Sequence, residues 1–256
     1  MNVRYKVDER VAVITIDRAE VRNAVDNETA RELFGTFARF ESDESADVAV
    51  LTGAGGNFCA GFDLRAFSEG QLQQYDPSQA GPMGPTRMIL SKPAIAAVEG
   101  YAVAGGMELT LWCDMRVAAS DAVFGIFNRR FGVPLVDLGT IRLPRLIGHS
   151  VAMDLILTGR PVGAVEAKQI GLVNRLAPQG AALNAAVALA REIAAFPQIA
   201  LRNDRMSAIE QWFMNEREAM ENEIRHGLAT LASGEPLDGA KKFLDGDGRH
   251  GQATLS

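Results

Sequence analysis

The sequence predicts an α/β fold, and three observations support this. Four short runs are almost continuously apolar, as expected of strands covered on both faces; they are residues 11–16, 48–51, 94–98 and 115–118. Segments with helical spacing of apolar residues lie between and after these runs. The chain has 256 residues, of which 47% are hydrophobic and 23% charged, a composition typical of globular proteins with a substantial core.

The first predicted helix follows the first apolar run. Asp26 and Asn27 are typical N-cap residues, and Leu33, Phe37 and Phe40 then recur at helical spacing. Residues 66–90 mix Gly, Pro, Gln and Ser, and this composition predicts a long loop with one short helix at most. Because loops of this length are often functional, we expect this loop to form part of a ligand pocket.

From residue 151 onwards the pattern is mainly helical. Residues 164–170 predict a helix that ends at Gly171, and residues 172–175 predict one last short strand. Residues 181–196 are Ala-rich and helical, and Pro197 begins another helix. Apolar residues then continue at helical intervals: Met206, Ile209, Trp212, Phe213, Met220, Ile224, Leu228 and Leu231. We therefore divide the chain into a core, residues 1–195, and a helical C-terminal region, residues 196–256, whose extra apolar surface predicts a subunit interface.

Charge and composition exclude several classes of function. The net charge of −6 argues against nucleic-acid binding, which needs a basic face. No apolar run reaches the roughly 18 residues of a membrane span, and the first residues resemble neither a signal nor a transit peptide, so we expect a cytoplasmic protein without membrane attachment. Two cysteines are too few for a disulfide framework, and no Cys/His spacing is typical of a metal site.

Two glycine-containing turns are candidate ligand sites. The first spans residues 51–64, and the second spans residues 99–109, where Gly105 and Gly106 precede a predicted helix. Glycine allows backbone N–H groups to approach a ligand closely, and a helix N-terminus favours negative charge. Neither turn matches the Gly-x-Gly-x-x-Gly or Walker patterns, and each could also be a plain connection between elements.

Glu108 is the most informative single residue. It is the one charged residue in a strongly apolar stretch, residues 107–113, which indicates burial. Burial would raise its pKa, whereas the helix dipole would lower it. The alternative is a glutamate that is favoured by the helix dipole and reaches solvent.

These segments together resemble the crotonase superfamily of enoyl-CoA hydratases and isomerases. The resemblance covers residues 11–245 and rests on ITIDRAEVRNAVD, LTGAGGNFCAGFDL, KPAIAAVEGYAVAGGMELTLWCDMRVAA, RLPRLIG and AVEAKQIGLVNRL. It implies a spiral of ββα units with a helical C-terminal trimerisation region, assembled as a homotrimer or as a hexamer made of two trimers. It also implies an acyl-CoA substrate; no separate cofactor is expected, because coenzyme A is part of the substrate.

The resemblance also implies roles for single residues. The N–H groups of Phe62 and Gly105 would form an oxyanion hole for the thioester oxygen, which agrees with both glycine turns as donors to a carbonyl. Glu108 would be the principal acid and base. The substrate-binding residues that it implies are Arg22, Ala24, Ala60, Asp63, Leu64, Tyr101 and Gly106. Arg65 and Lys92 are further candidates for binding the phosphate groups of coenzyme A.

One departure from the family pattern concerns catalysis. The second glutamate of the hydratases would fall at Asn128, and an amide does not exchange a proton at neutral pH. Asp137 is the candidate replacement acid, although an aspartate in such a sequence could equally cap a helix or a turn. Arg129 and Arg130 could pair with Asp137 or with Glu108.

We therefore expect an enzyme that acts at the α- and β-carbons of an enoyl-CoA thioester, most simply as an enoyl-CoA hydratase, which is a lyase. The alternatives are an enoyl-CoA or dienoyl-CoA isomerase that uses Glu108 and Asp137, and a non-catalytic acyl-CoA-binding relative, because Asn128 lacks a carboxyl group. Thioester hydrolysis or decarboxylation is a third possibility.

Overall fold

The computed structural model describes residues 1–69, 76 and 78–246, and its strands form two sheets. The described strands are β1 Val3–Asp8, β2 Val11–Ile16, β3 Val48–Gly53, β4 Ala94–Val98, β5 Tyr101–Val103, β6 Met115–Ala119, β7 Val123–Gly125, β8 Val162–Gly163 and β9 Arg175–Ala177. The larger sheet has the order β1-β2-β3-β4-β6-β9 and is parallel except for the β1/β2 pair. The smaller sheet has the order β5-β7-β8.

The helices surround the larger sheet and continue beyond it. They are α1 Asn27–Ser42, α2 Leu64–Ser68, α3 Gly105–Trp112, α4 Gly139–Ile147, α5 His149–Thr158, α6 Ala164–Gln169, α7 Ala182–Ala194, α8 Gln198–Glu210, α9 Glu216–Ala232 and α10 Glu235–Asp245. As predicted, Asp26 is the N-cap of α1, and its side chain accepts a hydrogen bond from the N–H of Thr29 at 2.8 Å.

Both faces of the larger sheet are buried. Leu51 of β3 belongs to the apolar cluster that includes Leu33 and Phe37 of α1. Its neighbour Val50 belongs to the cluster on the opposite face, which includes Leu189 of α7. Because successive residues of a strand point to opposite faces, a sheet covered on both sides requires unbroken apolar runs. The predicted α/β class and the four predicted strands are confirmed.

The prediction of the last strand was wrong by three residues. The strand β9 begins at Arg175, whereas the predicted strand began at Leu172. Leu172 and Val173 are buried in the turn that follows α6, where the N–H of Val173 bonds to the carbonyl oxygen of Ala167 at 3.0 Å. These residues are therefore apolar because they cover α6, and not because they belong to a sheet.

The long loop was predicted correctly over most of its described length. The helix α2 begins at Leu64, and a 3-10 turn forms at Pro85–Arg87. Residues 70–75 and 77 of this predicted loop lie outside the described residues. The strands β1, β5, β7 and β8 were not predicted, since three of them are only two or three residues long.

The C-terminal region is helical, as predicted, through α8, α9 and α10; residues 247–256 lie outside the description. Arg202 and Arg205 of α8 join it to the core through ion pairs with Asp47, at 2.7 Å, and Asp114, at 2.9 Å. Large apolar side chains remain exposed, including Trp212, Phe213, Met220, Ile224, Leu228 and Leu231. None of the helices in the described ranges is long and apolar enough to cross a membrane.

Candidate active site

The N-terminus of α3 lies against the first glycine turn. A Cβ atom at Gly106 would lie 2.1 Å from the carbonyl oxygen of Cys59, and one at Gly105 would lie 2.5 Å from Sδ of Met83. Real atoms do not approach so closely, so a larger residue at Gly106 would push the helix away from the Cys59 backbone, and one at Gly105 would displace the Met83 side chain. The two glycines therefore allow the start of α3 to pack directly against these neighbours.

Two backbone N–H groups are unpaired where the glycine turns meet. Among the described residues, neither the N–H of Phe62 nor that of Gly105 has a hydrogen-bond partner. Gly105 is the first residue of α3, where an N–H has no acceptor within the helix. The turns are close together, because a Cβ atom at Gly61 would lie 3.0 Å from the backbone nitrogen of Gly105.

Phe62 and Gly105 both line a cavity of about 100 Å³. Three polar side chains belong to its wall: Glu108, Asn128 and Asp137. Most of the remaining wall is apolar and includes Leu64, Met83, Phe127, Phe131, Val133 and Val136. The structure thus brings the three predicted catalytic candidates together, although 29 positions separate Glu108 from Asp137.

Glu108 is buried, with 3% of its surface exposed, so it does not reach solvent as the alternative interpretation of the sequence required. Its Oε1 accepts hydrogen bonds from the N–H groups of Asp137, at 2.9 Å, and Gly139, at 2.8 Å. Oε2 has no protein partner in the part of the chain that the structure describes, and is therefore the oxygen available to a ligand. Burial, reinforced by the charge of Asp137, raises the pKa of Glu108 to about 8, against the opposing effect of the two N–H donors.

Asp137 is as deeply buried as Glu108. Its Oδ1 accepts hydrogen bonds from the N–H of Met83, at 3.1 Å, and from the hydroxyl of Thr86. Burial raises the pKa of Asp137, while the Thr86 and Met83 donors oppose that rise. A Cβ atom at Gly81 would lie 2.3 Å from Oδ1, so this glycine lets the long loop close over the carboxyl group.

Asn128 lies in a 3-10 turn at Phe127–Phe131 and is 7% exposed. Its Nδ2 donates a hydrogen bond to the carbonyl oxygen of Val133 at 2.7 Å, and its Oδ1 is buried without a partner in the described structure. The predicted pairing of the next two residues with the acids is wrong. Nε of Arg129 donates to the carbonyl oxygen of Ile156 at 3.2 Å, and Arg130 donates to that of Gly159 at 3.3 Å.

Sequence reasoning missed the residues that hold the two acids. Arg142, on α4, donates to the carbonyl oxygens of Thr86, at 2.7 Å, and Asp137, at 3.2 Å. Thr86 and Asp137 are 51 positions apart. No spacing rule connects positions so distant, and the one sequence signal was that Arg142 belongs to the RLPRLIG segment.

Only some of the predicted substrate-binding residues line the cavity. Ala60 and Leu64 line the cavity, whereas the other five are outside its wall; these are Arg22, Ala24, Asp63, Tyr101 and Gly106. The guanidinium carbon of Arg22 lies 5.7 Å from the ring centroid of Tyr101, and both residues are exposed. Gly106 is buried in α3.

Two charged candidates near these residues have partners of their own. Asp63 forms an ion pair with Arg18 at 3.3 Å. The prediction that Lys92 binds phosphate was wrong: its Nζ donates to the carbonyl oxygens of Phe40, at 3.0 Å, and Asp43, at 2.8 Å, and the residue is buried.

Comparison with known proteins identifies the family. The family model described as Enoyl-CoA hydratase/isomerase matches residues 6–245. The chain belongs to this family. It is 36% identical, over 240 residues, to an enoyl-CoA hydratase of Mycobacterium tuberculosis, with 91% of this chain and 90% of the relative covered. It is 34% identical, over 242 residues, to a carnitinyl-CoA dehydratase of Escherichia coli, with 91% of each covered.

Solved structures of enoyl-CoA hydratases have the same fold. A crystal structure from Mycobacterium tuberculosis has a TM-score of 0.90 at 36% identity, and the alignment covers 95% of this chain and 96% of that one. An enoyl-CoA hydratase from Mycobacterium marinum gives a TM-score of 0.89 at 36% identity, with the same coverage. The resemblance to the crotonase superfamily is therefore confirmed, and so is the membership of an enzyme family.

Proposed function

We propose that this member of the enoyl-CoA hydratase/isomerase family adds water to, or removes it from, the α- and β-carbons of an acyl-CoA thioester. The observation that carries the proposal is the pair of buried carboxyl groups, Glu108 and Asp137, in one cavity with the unpaired N–H groups of Phe62 and Gly105. Two relatives support it, since one is named an enoyl-CoA hydratase and the other a carnitinyl-CoA dehydratase.

The two N–H groups provide the oxyanion hole. The thioester oxygen accepts hydrogen bonds from Phe62 and Gly105, and the negative charge of the enolate develops on that oxygen. Preorganised donors are worth about 3–4 kcal/mol each when they face a developing oxyanion in a site from which water is excluded. No charged side chain is needed for this step.

The two acids divide the proton transfers. Burial and the charge of Asp137 raise the pKa of Glu108 to about 8, so we assign Glu108 as the proton donor and Asp137, whose negative charge contributes to that rise, as the base. The oxygen of water forms a bond to the β-carbon while Asp137 takes one proton of the water. The electron pair of the α,β double bond then joins the α-carbon to the carbonyl carbon, and the electron pair of the carbonyl double bond moves to the thioester oxygen. The enolate then takes a proton at the α-carbon from Glu108. One proton of the water remains on the β-hydroxyl group. The other passes from Asp137 to Glu108 and replaces the proton that Glu108 gave to the α-carbon.

An enoyl-CoA isomerase is the second candidate. One observation favours it: the buried carboxyl of Asp137 lines the cavity, whereas Asn128 supplies no acid. In this reaction one of the two groups, as the carboxylate, removes a proton from the α-carbon, and the other, as the carboxylic acid, donates a proton to the γ-carbon. The double bond moves and no water is consumed.

We also propose that the chain assembles through residues 196–256 into a homotrimer or a dimer of trimers. The exposed apolar residues of α9 support this, because surfaces of this kind mark protein interfaces. Independence from any cofactor beyond the coenzyme A of the substrate, and location in the cytoplasm, remain predictions.

The decisive experiment is hydration of a short 2-enoyl-CoA, followed by the loss of ultraviolet absorbance of the conjugated thioester. Glu108→Gln and Asp137→Asn should each lower kcat by about 100-fold or more, as expected for an acid or base. Asp154→Asn is the matched control, because Asp154 is a half-exposed partner of Arg160.

Each outcome separates the alternatives. Turnover of a 3-enoyl-CoA without hydration would favour the isomerase. Binding of thioesters with no turnover of 2-enoyl, 3-enoyl or dienoyl substrates would favour a non-catalytic acyl-CoA-binding protein.

A further inference from the structure

Asn128 combines deep burial with an unsatisfied acceptor. The residue is 7% exposed, it lines the cavity, and its Oδ1 has no hydrogen-bond partner among the described residues. An unpaired buried acceptor costs free energy unless a ligand or an ordered water satisfies it. This side chain is therefore arranged to meet a donor that the protein itself does not supply.

The orientation of this amide is fixed by its neighbour. The carbonyl oxygen of Val133 lies 2.7 Å from Nδ2. A carbonyl oxygen accepts hydrogen bonds and never donates them, so the NH₂ group must face Val133 and Oδ1 must face the other way. The unpaired atom of the side chain is consequently an acceptor oxygen.

The partner of Oδ1 of Asn128 can be identified by its chemistry. It must carry a hydrogen that can be donated, which the carbon skeleton and the thioester oxygen of an enoyl-CoA do not have. The reacting water and the β-hydroxyl of the hydrated thioester both have one. A carboxylate at the same position would place negative charge against the Val133 carbonyl, so an amide is the acceptor that fits here.

We propose that Asn128 accepts a hydrogen bond from the hydroxyl group at the β-carbon, and so selects 3-hydroxyacyl thioesters over their saturated analogues without transferring a proton. This inference rests on the proposed function, and it assigns a task within that site. One hydrogen of the attacking water goes to Asp137, and the other stays on the oxygen and is held by Oδ1 of Asn128. Asn128 is thus a specificity-determining residue that contacts the substrate.

The test measures binding of two thioesters to a full-length protein in which turnover is blocked. Glu108→Gln serves as the background, since it keeps an acceptor oxygen for the N–H groups of Asp137 and Gly139. Calorimetry gives the Kd of 3-hydroxybutyryl-CoA and of butyryl-CoA in this background. We expect the hydroxylated thioester to bind about tenfold more tightly, the value for one well-placed hydrogen bond.

Substitutions of Asn128 in the same background isolate the acceptor. N128L and N128A should each abolish the tenfold preference while leaving the Kd of butyryl-CoA within about twofold. N128D is the control of matched shape: in its protonated form it donates to the Val133 carbonyl and still presents an acceptor, so it should keep the preference below the pKa of the new carboxyl group. Butyryl-CoA binding reports on folding in every sample, and the ratio of the two Kd values does not depend on the fraction of active protein.

Two results would overturn the inference in distinguishable ways. If both thioesters bind and N128L and N128A leave the preference unchanged, or if no preference exists in the Glu108→Gln background, the proposed function stands and the role of Asn128 falls. If neither thioester binds, the proposed function fails and this inference fails with it.

Discussion

The backbone N–H of Asp137 donates a hydrogen bond to Oε1 of Glu108 at 2.9 Å, so the main chain of one acid holds the carboxyl group of the other. The side chain of Asp137 is held separately by Thr86 and Met83. The two carboxyl groups therefore occupy fixed positions, and the charge of Asp137 contributes to the raised pKa of Glu108.

This coupling predicts a bell-shaped pH profile. In hydration assays, kcat/KM should fall above about pH 8, where Glu108 loses its proton, and again at low pH, where Asp137 gains one. The residual activity of Asp137→Asn should lack the acidic limb. Because that variant removes a nearby negative charge, its alkaline limb should also move to lower pH. An unchanged alkaline limb would show that the charge of Asp137 does not reach Glu108.

The raised pKa of Glu108 also predicts a pH dependence of stability. The unfolded chain loses this proton near pH 4.5, whereas the folded protein holds it to about pH 8. The free energy of unfolding should therefore decrease as the pH rises between these values, by at most about 1.4 kcal/mol per pH unit from this group.

Comparison with Glu108→Gln isolates that contribution. The variant has no proton to lose, so denaturant titrations should show its stability relative to the wild type increasing from pH 5 to pH 8 and then levelling off. A constant difference over this range would mean that Glu108 has an ordinary pKa.

Gly139 is expected to be essential for the position of Glu108. A Cβ atom at Gly139 would lie 2.7 Å from Oε1 and 2.9 Å from Cγ of that residue. Gly139→Ala should displace the carboxyl group and lower kcat by about 100-fold, the scale for misplacing a catalytic group. Gly35→Ala is the matched control, because a Cβ atom there has nothing within 4 Å; it should stabilise α1 by about 0.5–1 kcal/mol and leave kcat unchanged. Equal activities of the two variants would contradict this placement.

Arg142 is expected to act through the acids that it positions. Its guanidinium joins the carbonyl oxygens of Thr86 and Asp137, and its positive charge lowers the pKa of both Glu108 and Asp137. Arg142→Met should lower kcat and move the alkaline limb of the pH profile to higher pH, opposite to the effect of Asp137→Asn. Arg142→Lys retains the positive charge, so its alkaline limb should lie close to that of the wild type. A loss of activity with no movement of the limb would indicate a purely structural role.

The exposed face of α9 predicts assembly. Ile224, Leu228 and Leu231 lie at helical spacing and are 53%, 60% and 64% exposed. Light scattering should give a mass of about three or six times the 27.5 kDa of one chain. Leu228→Asp should shift the population towards the monomer, while Glu223→Ala, at an exposed position of the same helix that lies off this face, should not. A wild-type protein that is monomeric at micromolar concentration would rule out this interface.

The sequence alone determined the fold class and the burial of Glu108. Unbroken apolar runs at 11–16 and 94–98 predicted strands covered on both faces, and the structure places both at interior positions of the larger sheet. An isolated charge in an apolar stretch predicted the burial of Glu108, which is 3% exposed. These inferences hold because periodicity and local composition act over a few residues.

Only the tertiary structure decided how the site is arranged. The pairing of Thr86 with Asp137 and the bridging of both by Arg142 join segments that are distant in the chain, where no local pattern operates. The role of Lys92 could be decided only from its partners, which are the backbone carbonyl oxygens of Phe40 and Asp43. The raised pKa of Glu108 likewise depends on burial and on a neighbouring charge, both of which exist only once the chain has folded.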